Sequence, residues 1–534
     1  MVMEKLLSIQ SLVLPLLLLL LLAFSSLVSC QLDSLPSYDL TSLNRSSFPE
    51  GFVFGAATAA YQYEGAAFEA GKGLSIWDTF THEQPWKIPD GSNGDVALDS
   101  YKRYKEDLEI LDSMGMDAYR MSIPWARILP NGSLKGGKNE EAIQHYKDLF
   151  NELEAKGKKP FVTIFHWDVP QALEDEYLGF LSPQIVQDYT DYAEVLFEEF
   201  GDKVKHWITF NEPYMFTVGG YINASLAPGR GSPWQSQLNA TQGDSAVEPY
   251  LVVHHILLAH ASAVKVYREK YQEKQKGEIG ITHVADWRIP FTHSKDDREA
   301  TQRVLDFNFG WFVNPIVYGD YPDVMRSIVG LRLPKFTEEE SASLIGSYDF
   351  IGINYYTSTY VINRKVPANP TEQSYFTDTN AYVLSERNGQ LIGPVAGSVW
   401  LNVYPKGIRD YLIYMKEKFG NPRVFITENG ISEASDPTIP VEKALIDPWR
   451  ISYHFSHLDY VRAAISEGSN VQGYFVWTLL DDFEWNSGYT VRFGIGYIDF
   501  QDNLKRYKKL SHKWFTKFLK PDSDISWSDL EVTA

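Results

Sequence analysis

The chain has 534 residues, 44% of them apolar and 22% charged, and a formal charge of −20. That balance fits a folded chain with a large core, not a disordered one. The acidic excess disfavours nucleic acid and acidic lipid as partners, because both need a basic surface to replace counterions.

At the N-terminus Lys5 precedes an apolar stretch from Leu12 to Phe24, and small residues around Ser29 and Cys30 offer a cleavage point. The stretch is short for a bilayer span and is followed by polar, Pro-containing sequence, so residues 1–30 read as a cleaved signal peptide that leaves no membrane contact. Residues 31–46 then form an N-terminal extension. Glycosylation sequons at Asn44, Asn131, Asn223 and Asn239 agree with the leader. They point to the secretory pathway, with the ER, the vacuole or the extracellular space (apoplast) as destination. Cys30 is the only cysteine, so the mature chain is expected to carry no disulfide and no thiolate metal site. No metal or organic cofactor is expected.

From residue 47 to about 520, short β-branched and aromatic runs alternate with longer amphipathic ones, as in repeated βα units with a parallel sheet. The eight runs are Phe52 to Thr58, Asp117 to Ile123, Pro160 to Phe165, Trp207 to Phe210, Ile279 to Val284, Phe350 to Tyr355, Arg423 to Thr427 and Gln472 to Trp477. Between the first two, Val96, Tyr101, Tyr104, Leu108 and Leu111 recur at helical spacing and predict a helix over Asp95 to Met114. Eight such units predict a single (β/α)8 TIM barrel, and barrels of this type can exceed about 400 residues as one domain. No glycine-rich phosphate loop follows the first run, which speaks against a nucleotide fold. Two inserts, roughly Tyr214 to Ser245 and Asn363 to Tyr404, are expected as loops over the C-terminal face. Residues 521–534 read as a C-terminal tail.

The active site of such a barrel gathers at the C-terminal ends of its strands. There the fourth run ends in Thr209, Phe210, Asn211, Glu212 and Pro213, and the seventh in Thr427, Glu428, Asn429 and Gly430. Either glutamate alone reads more readily as a strand-end residue that caps a helix or pairs with arginine. Two of them across one barrel mouth are the equipment of glycoside hydrolysis, with retention at a carboxyl separation of about 5–5.5 Å and inversion at about 6.5–9.5 Å.

The segments TFNEP (Thr209 to Pro213) and ITENG (Ile426 to Gly430) resemble the acid/base and nucleophile motifs of glycoside hydrolase family 1, in particular its plant β-glucosidases. The likeness extends to FVFGAATAAYQYEG from Phe52, FHWDVPQALEDEY from Phe165, DFIGINYYTS from Asp349 and WTLLDDFEWNSGY from Trp477, and so covers the whole expected barrel. It implies that Glu212 is the general acid/base and Glu428 the nucleophile of a retaining double displacement. It also implies that Gln62, His166, Asn211, Glu484 and Trp485 surround the sugar hydroxyls, with Trp477 as the platform beneath the ring. Arg120, Asn354 and Tyr356 resemble the groups that support the nucleophile, and Asn354 and Tyr356 also count among the expected substrate contacts. Trp400 matches an aglycone-stacking position, whereas Trp77, Trp125 and Glu64 match positions that read as structural.

Three departures stand out. Gly231, in APGRGS (Ala227 to Ser232), stands where plant members carry the first of two loop cysteines, and no partner cysteine remains. Pro124 and Lys508 stand where Ser and Pro are usual. The function implied is hydrolysis of O-linked β-glucosides of small, specialised-metabolite aglycones, because thioglucosidases of the family replace the acid/base Glu by Gln. Transglycosylation to an acceptor alcohol keeps the same two glutamates and is the alternative. A catalytically inactive sugar-binding barrel would be expected to lose one of them. A homo-oligomer is compatible with the sequence.

Overall fold

The structure is a computed structural model that describes residues 38–240, 242–365 and 371–530. The predicted signal peptide with Cys30, residues 31–37 of the N-terminal extension and the last four residues of the predicted tail lie outside the described residues. Eight parallel strands close a barrel: β1 (Val53–Ala57), β2 (Ala118–Ser122), β3 (Lys159–Phe165), β4 (His206–Asn211), β5 (Glu278–Val284), β6 (Phe350–Asn354), β7 (Val424–Asn429) and β8 (Val471–Trp477). Each predicted run coincides with one strand to within a residue or two. The pairing runs in chain order and closes β8 on β1, with Ala57 opposite Trp477.

The barrel is filled by setting large side chains against missing ones. Phe161 packs at 4.7 Å from Phe475 and 5.3 Å from Phe425, and Phe425 at 5.1 Å from Phe350. A Cβ added at Gly55 would lie 2.4 Å from the Phe475 ring, and one at Gly280 2.7 Å from Phe350. Those glycines are the room the phenylalanines occupy.

Helices wrap the barrel by amphipathic logic. The helix Ile185–Phe200 buries Ile185, Tyr189, Tyr192, Ala193, Leu196, Phe197 and Phe200. Its two tyrosines do more than pack: Tyr189 donates to the carbonyl of Thr209 at 2.6 Å and Tyr192 to that of Ile123 at 2.7 Å. Helix and strand ends are thereby locked together just below the barrel mouth. No described helix is long and apolar enough to cross a membrane.

Two expectations are corrected. The helix predicted from Asp95 runs Ser100–Met114, because Ala97 and Asp99 adopt left-handed backbone (φ 45° and 53°) and stop any earlier start. Val96 consequently lies off the helix and is 59% exposed. The two inserts are also not simple loops. The first opens with the helix Pro213–Tyr221, and the second carries a strand, Ala381–Leu384, that pairs antiparallel with Ser358–Asn363.

The departures are accommodated locally. Pro124 has φ −70°, which its ring requires, and its carbonyl accepts from Arg127 N at 3.0 Å. Lys508 ends the exposed strand Lys505–Lys508, where its charge is solvated.

Candidate active site

Glu212 and Glu428 stand where β4 and β7 leave the barrel, both almost fully buried. Glu212 has φ 43°, a strained left-handed geometry for a residue with a side chain. Its N–H donates to the Thr282 carbonyl at 2.9 Å, and Pro213 behind it starts the next helix. Gly430 lets the β7 exit pass close to β8, since a Cβ there would lie 1.9 Å from the Trp477 carbonyl oxygen.

Each carboxylate is held by named donors. Arg120 donates to Glu428 Oε1, and the phenol of Tyr356 donates to Oε2 at 2.7 Å. A guanidinium and a phenol on opposite oxygens fix the aim of that carboxylate. Asn354 Nδ2 donates to Glu212 Oε1 at 2.7 Å and to Asn211 Oδ1 at 3.1 Å, while its own Oδ1 accepts from Thr427 at 2.7 Å. Asn354 and Tyr356, expected among the substrate contacts, each hold one of the two glutamates.

The surroundings of Glu212 raise its proton affinity. Burial, then the charge of Glu428, raises Glu212 well above the usual carboxylate range. That raised proton affinity suits Glu212 to the role of proton donor, while Arg120 lies against Glu428. Burial also raises Glu484, to about 8, with the Glu428 charge adding to the effect.

Around this pair the predicted sugar-facing residues converge. Asn211 is a hub: its Oδ1 accepts from Arg120 Nη2 at 2.6 Å, which orients the amide so that Nδ2 faces His166 Nε2 at 2.9 Å. His166 Nε2 must accept, so the proton sits on Nδ1. That Nδ1 is buried without a partner among the described residues. Burial, then Arg120, pushes the imidazole well below its usual pKa, so it stays neutral. Gln62 Nε2 lies 3.3 Å from both Asp482 Oδ2 and Glu484 Oε2, and its Oε1 is likewise buried and unpartnered. A free N–H on His166 and a free carbonyl on Gln62 are what sugar hydroxyls, each donor and acceptor, would satisfy.

The aromatic wall is equally connected. Trp485 lies 5.7 Å from His166, 4.5 Å from Trp167 and 4.7 Å from Trp77. Trp477 lies 6.3 Å from His166. Trp400 is half-exposed, edge-on to Tyr356 at 5.9 Å, at the outer rim of the same site. Trp77, Trp125 and Glu64 pack as structural groups. Trp125 donates to the Gly132 carbonyl at 2.8 Å, and Glu64 accepts from Arg127 at 3.0 Å and Tyr146 at 2.6 Å.

Sequence reasoning passed over Asp482, which sits inside the quoted WTLLDDFEWNSGY segment. Its neighbour Asp481 is consumed by Lys509 at 2.8 Å and Arg492 at 2.8 Å. Asp482 instead reaches Gln62, and burial with the nearby Glu484 raises its pKa well above the ordinary value. Only the fold separates these two adjacent aspartates.

The family model for glycosyl hydrolase family 1 matches residues 44–523. The chain is 57% identical over 477 residues to beta-glucosidase 12 of Oryza sativa subsp. indica, covering 89% of this chain and 93% of that protein. It is 54% identical over 471 residues to furcatin hydrolase of Viburnum furcatum, covering 88% and 86%. Among solved structures, a rice β-glucosidase superposes with a TM-score of 0.88 at 48% identity, over 90% of this chain and all of that one. A mutant of that rice enzyme, in a covalent complex with Glc, matches equally well.

Proposed function

The chain belongs to glycosyl hydrolase family 1 and is a retaining β-glucosidase, and on that premise we propose that Glu212 is its general acid/base and Glu428 its nucleophile. The observation that carries the assignment is the asymmetry of the pair. Glu428 is held from both oxygens by Arg120 and Tyr356, while burial and the Glu428 charge keep a proton on Glu212.

In the first step Glu428 attacks the anomeric carbon while Glu212 gives its proton to the departing oxygen. Ester formation removes the charge on Glu428, and with it one cause of the high Glu212 pKa, so Glu212 can then deprotonate the incoming water. His166, Gln62, Asn211 and Glu484 hold the sugar hydroxyls, Trp485 walls the site beside them, and Trp477 underlies the ring. Asn354 and Tyr356 border the sugar while holding the two glutamates.

The substrates proposed are O-linked β-glucosides of small specialised-metabolite aglycones, the chemistry that the names of furcatin hydrolase and the furostanol glycoside 26-O-beta-glucosidase of Hellenia speciosa describe for those relatives. Trp400 at the rim is proposed to stack on the aglycone. Passage through the secretory pathway is part of the same reading. Asn131 and Asn239 are exposed and Asn44 and Asn223 half-buried, so glycan occupancy at the first two, read as a mass loss on deglycosylation, is expected.

Glu428→Gln is expected to abolish turnover, and near-wild-type activity in that variant would remove the nucleophile assignment. In Glu212→Ala, azide is expected to restore turnover of an activated aryl glucoside as a β-glycosyl azide, an α product being incompatible with retention. An added acceptor alcohol separates hydrolysis from transglycosylation, since the proposal requires free glucose as the main product.

A further inference from the structure

At the barrel end opposite the two glutamates, a cavity of about 300 Å3 is lined by Gly51, Val53, Lys159, Lys205, His206, Lys276, Glu278, Arg423, Phe425 and Gln472. Six barrel strands bring their first residues or N-terminal approaches to this rim: Val53 opens β1, Lys159 opens β3, His206 opens β4, Glu278 opens β5, and Arg423 and Gln472 flank the starts of β7 and β8. Four cations therefore share one cavity with a single carboxylate, in a chain whose formal charge is −20.

The cations are only partly spoken for. Arg423 pairs with Glu278 at 2.5 Å through Nη1. Lys205 donates to the carbonyls of Gly201 at 3.0 Å and Gln275 at 2.7 Å, which leaves one of its three N–H groups. Lys159 and Lys276 are exposed, and neither ammonium has a hydrogen-bond or ion-pair partner among the described residues. His206 stacks on Phe161 at 4.0 Å, and its Nδ1 is buried without a partner. Burial first, then the charges of Lys159 and Arg423, lower His206 to about 4, so the positive field reaches the imidazole. Phe425, packed on Phe161 and Phe350, floors the cavity and closes it off from the barrel interior.

We propose that this N-terminal mouth of the barrel binds a small doubly charged tetrahedral oxyanion of the phosphate class, free or carried as a phosphomonoester. Unpaired ammoniums, the spare donors of Arg423 and Lys205 and a neutral imidazole offer an oxyanion several charge-assisted bonds at once. Glu278, the one carboxylate of the lining, is already paired with Arg423. A ring of solvated lysines is the alternative, and it differs in being unable to saturate.

Isothermal titration calorimetry with inorganic phosphate, at ionic strength held constant with chloride, tests the site. The expected result is one saturable isotherm with about one phosphate per chain, weakened about tenfold or more in Lys159→Ala/Lys276→Ala. Lys203→Ala, which removes an ammonium paired with Glu154 outside this cavity, is expected to leave the isotherm unchanged. Glucoside turnover in the double variant should match wild type, which verifies its fold. A parallel titration with glycerol phosphate assigns the ligand: tighter binding than inorganic phosphate points to a phosphomonoester, equal or weaker binding to the free ion. Absence of saturation below roughly 20 mM phosphate, or equal isotherms in wild type and the double variant, overturns the proposal.

Discussion

At the scale of single residues, the difference between Glu212 and Glu428 is carried by neighbours that motif reading names but cannot position. Removing the Glu428 charge removes the second cause of the raised Glu212 pKa. In Glu428→Gln, the carboxyl carbon of Glu212 should therefore titrate at lower pH than in the free wild-type enzyme, as followed by carbon NMR; an unchanged or higher midpoint would break the electrostatic link between the two. Tyr356→Phe removes one hydrogen bond to Glu428 and leaves Arg120 in place. A bond to a charged group is worth about 1.5–3 kcal/mol. The expected loss in kcat/KM is thus about 10- to 100-fold. The proposed catalytic pair was legible from sequence because two glutamates end apolar runs of one barrel and both sit in segments that resemble the family motifs. The unpartnered Nδ1 of His166 and the different fates of Asp481 and Asp482 were not, because they depend on contacts with residues far away in the chain.

At the scale of elements, the loop after Glu212 shows what stands in place of a missing staple. The Ser232 N–H donates to Ser245 Oγ at 2.9 Å, and the Ser245 N–H donates to Ser232 Oγ at 2.8 Å. Ser245 Oγ also donates to Gln235 Oε1 at 2.6 Å, and Arg230 forms a two-bond ion pair with Glu248 at 2.9 and 2.6 Å. The loop is clasped by polar contacts that are almost entirely buried, which composition could not reveal once the cysteines were gone. A Cβ built on Gly231 lies 3.3 Å from the Cβ of Ala240, slightly short of the usual disulfide span of about 3.5–4.5 Å, so a small outward shift of the loop brings the pair into bonding range. Gly231→Cys/Ala240→Cys is therefore expected to oxidise spontaneously and to stabilise the loop by about 2–3 kcal/mol. Thiol counting and a reductant-sensitive melting temperature check it, and two persistently free thiols would refute the geometry. The helix at Ser100 teaches the complementary lesson: the period of Tyr104, Leu108 and Leu111 was readable, whereas the left-handed Ala97 and Asp99 that fix its start left no mark in the pattern.

At the scale of the whole molecule, the barrel was readable because eight apolar runs in a fixed order leave few closed parallel topologies to choose from. What the sequence could not show is how many titratable groups that barrel buries, and this sets the pH dependence of stability. Burial raises Asp168 and Glu174 to about 7 and Glu484 to about 8. The unfolded chain releases those protons near pH 4. Between pH 7.5 and 8.5 the folded state thus holds protons that the unfolded state has already lost, so raising the pH favours unfolding. The buried histidines do not oppose this in that window: His260, His283 and His457 are lowered to about 3 by burial. Folded, they are neutral throughout the window, and unfolded they are mostly neutral above about 7.5. Their stabilising share is lost only below that pH, when the unfolded chain gains protons that the folded one refuses. The melting temperature is accordingly expected to fall as pH rises from 7.5 to 8.5, with Asp168→Asn flattening part of the slope. A melting temperature that climbs over that interval would mean these carboxyls are ionised in the folded barrel.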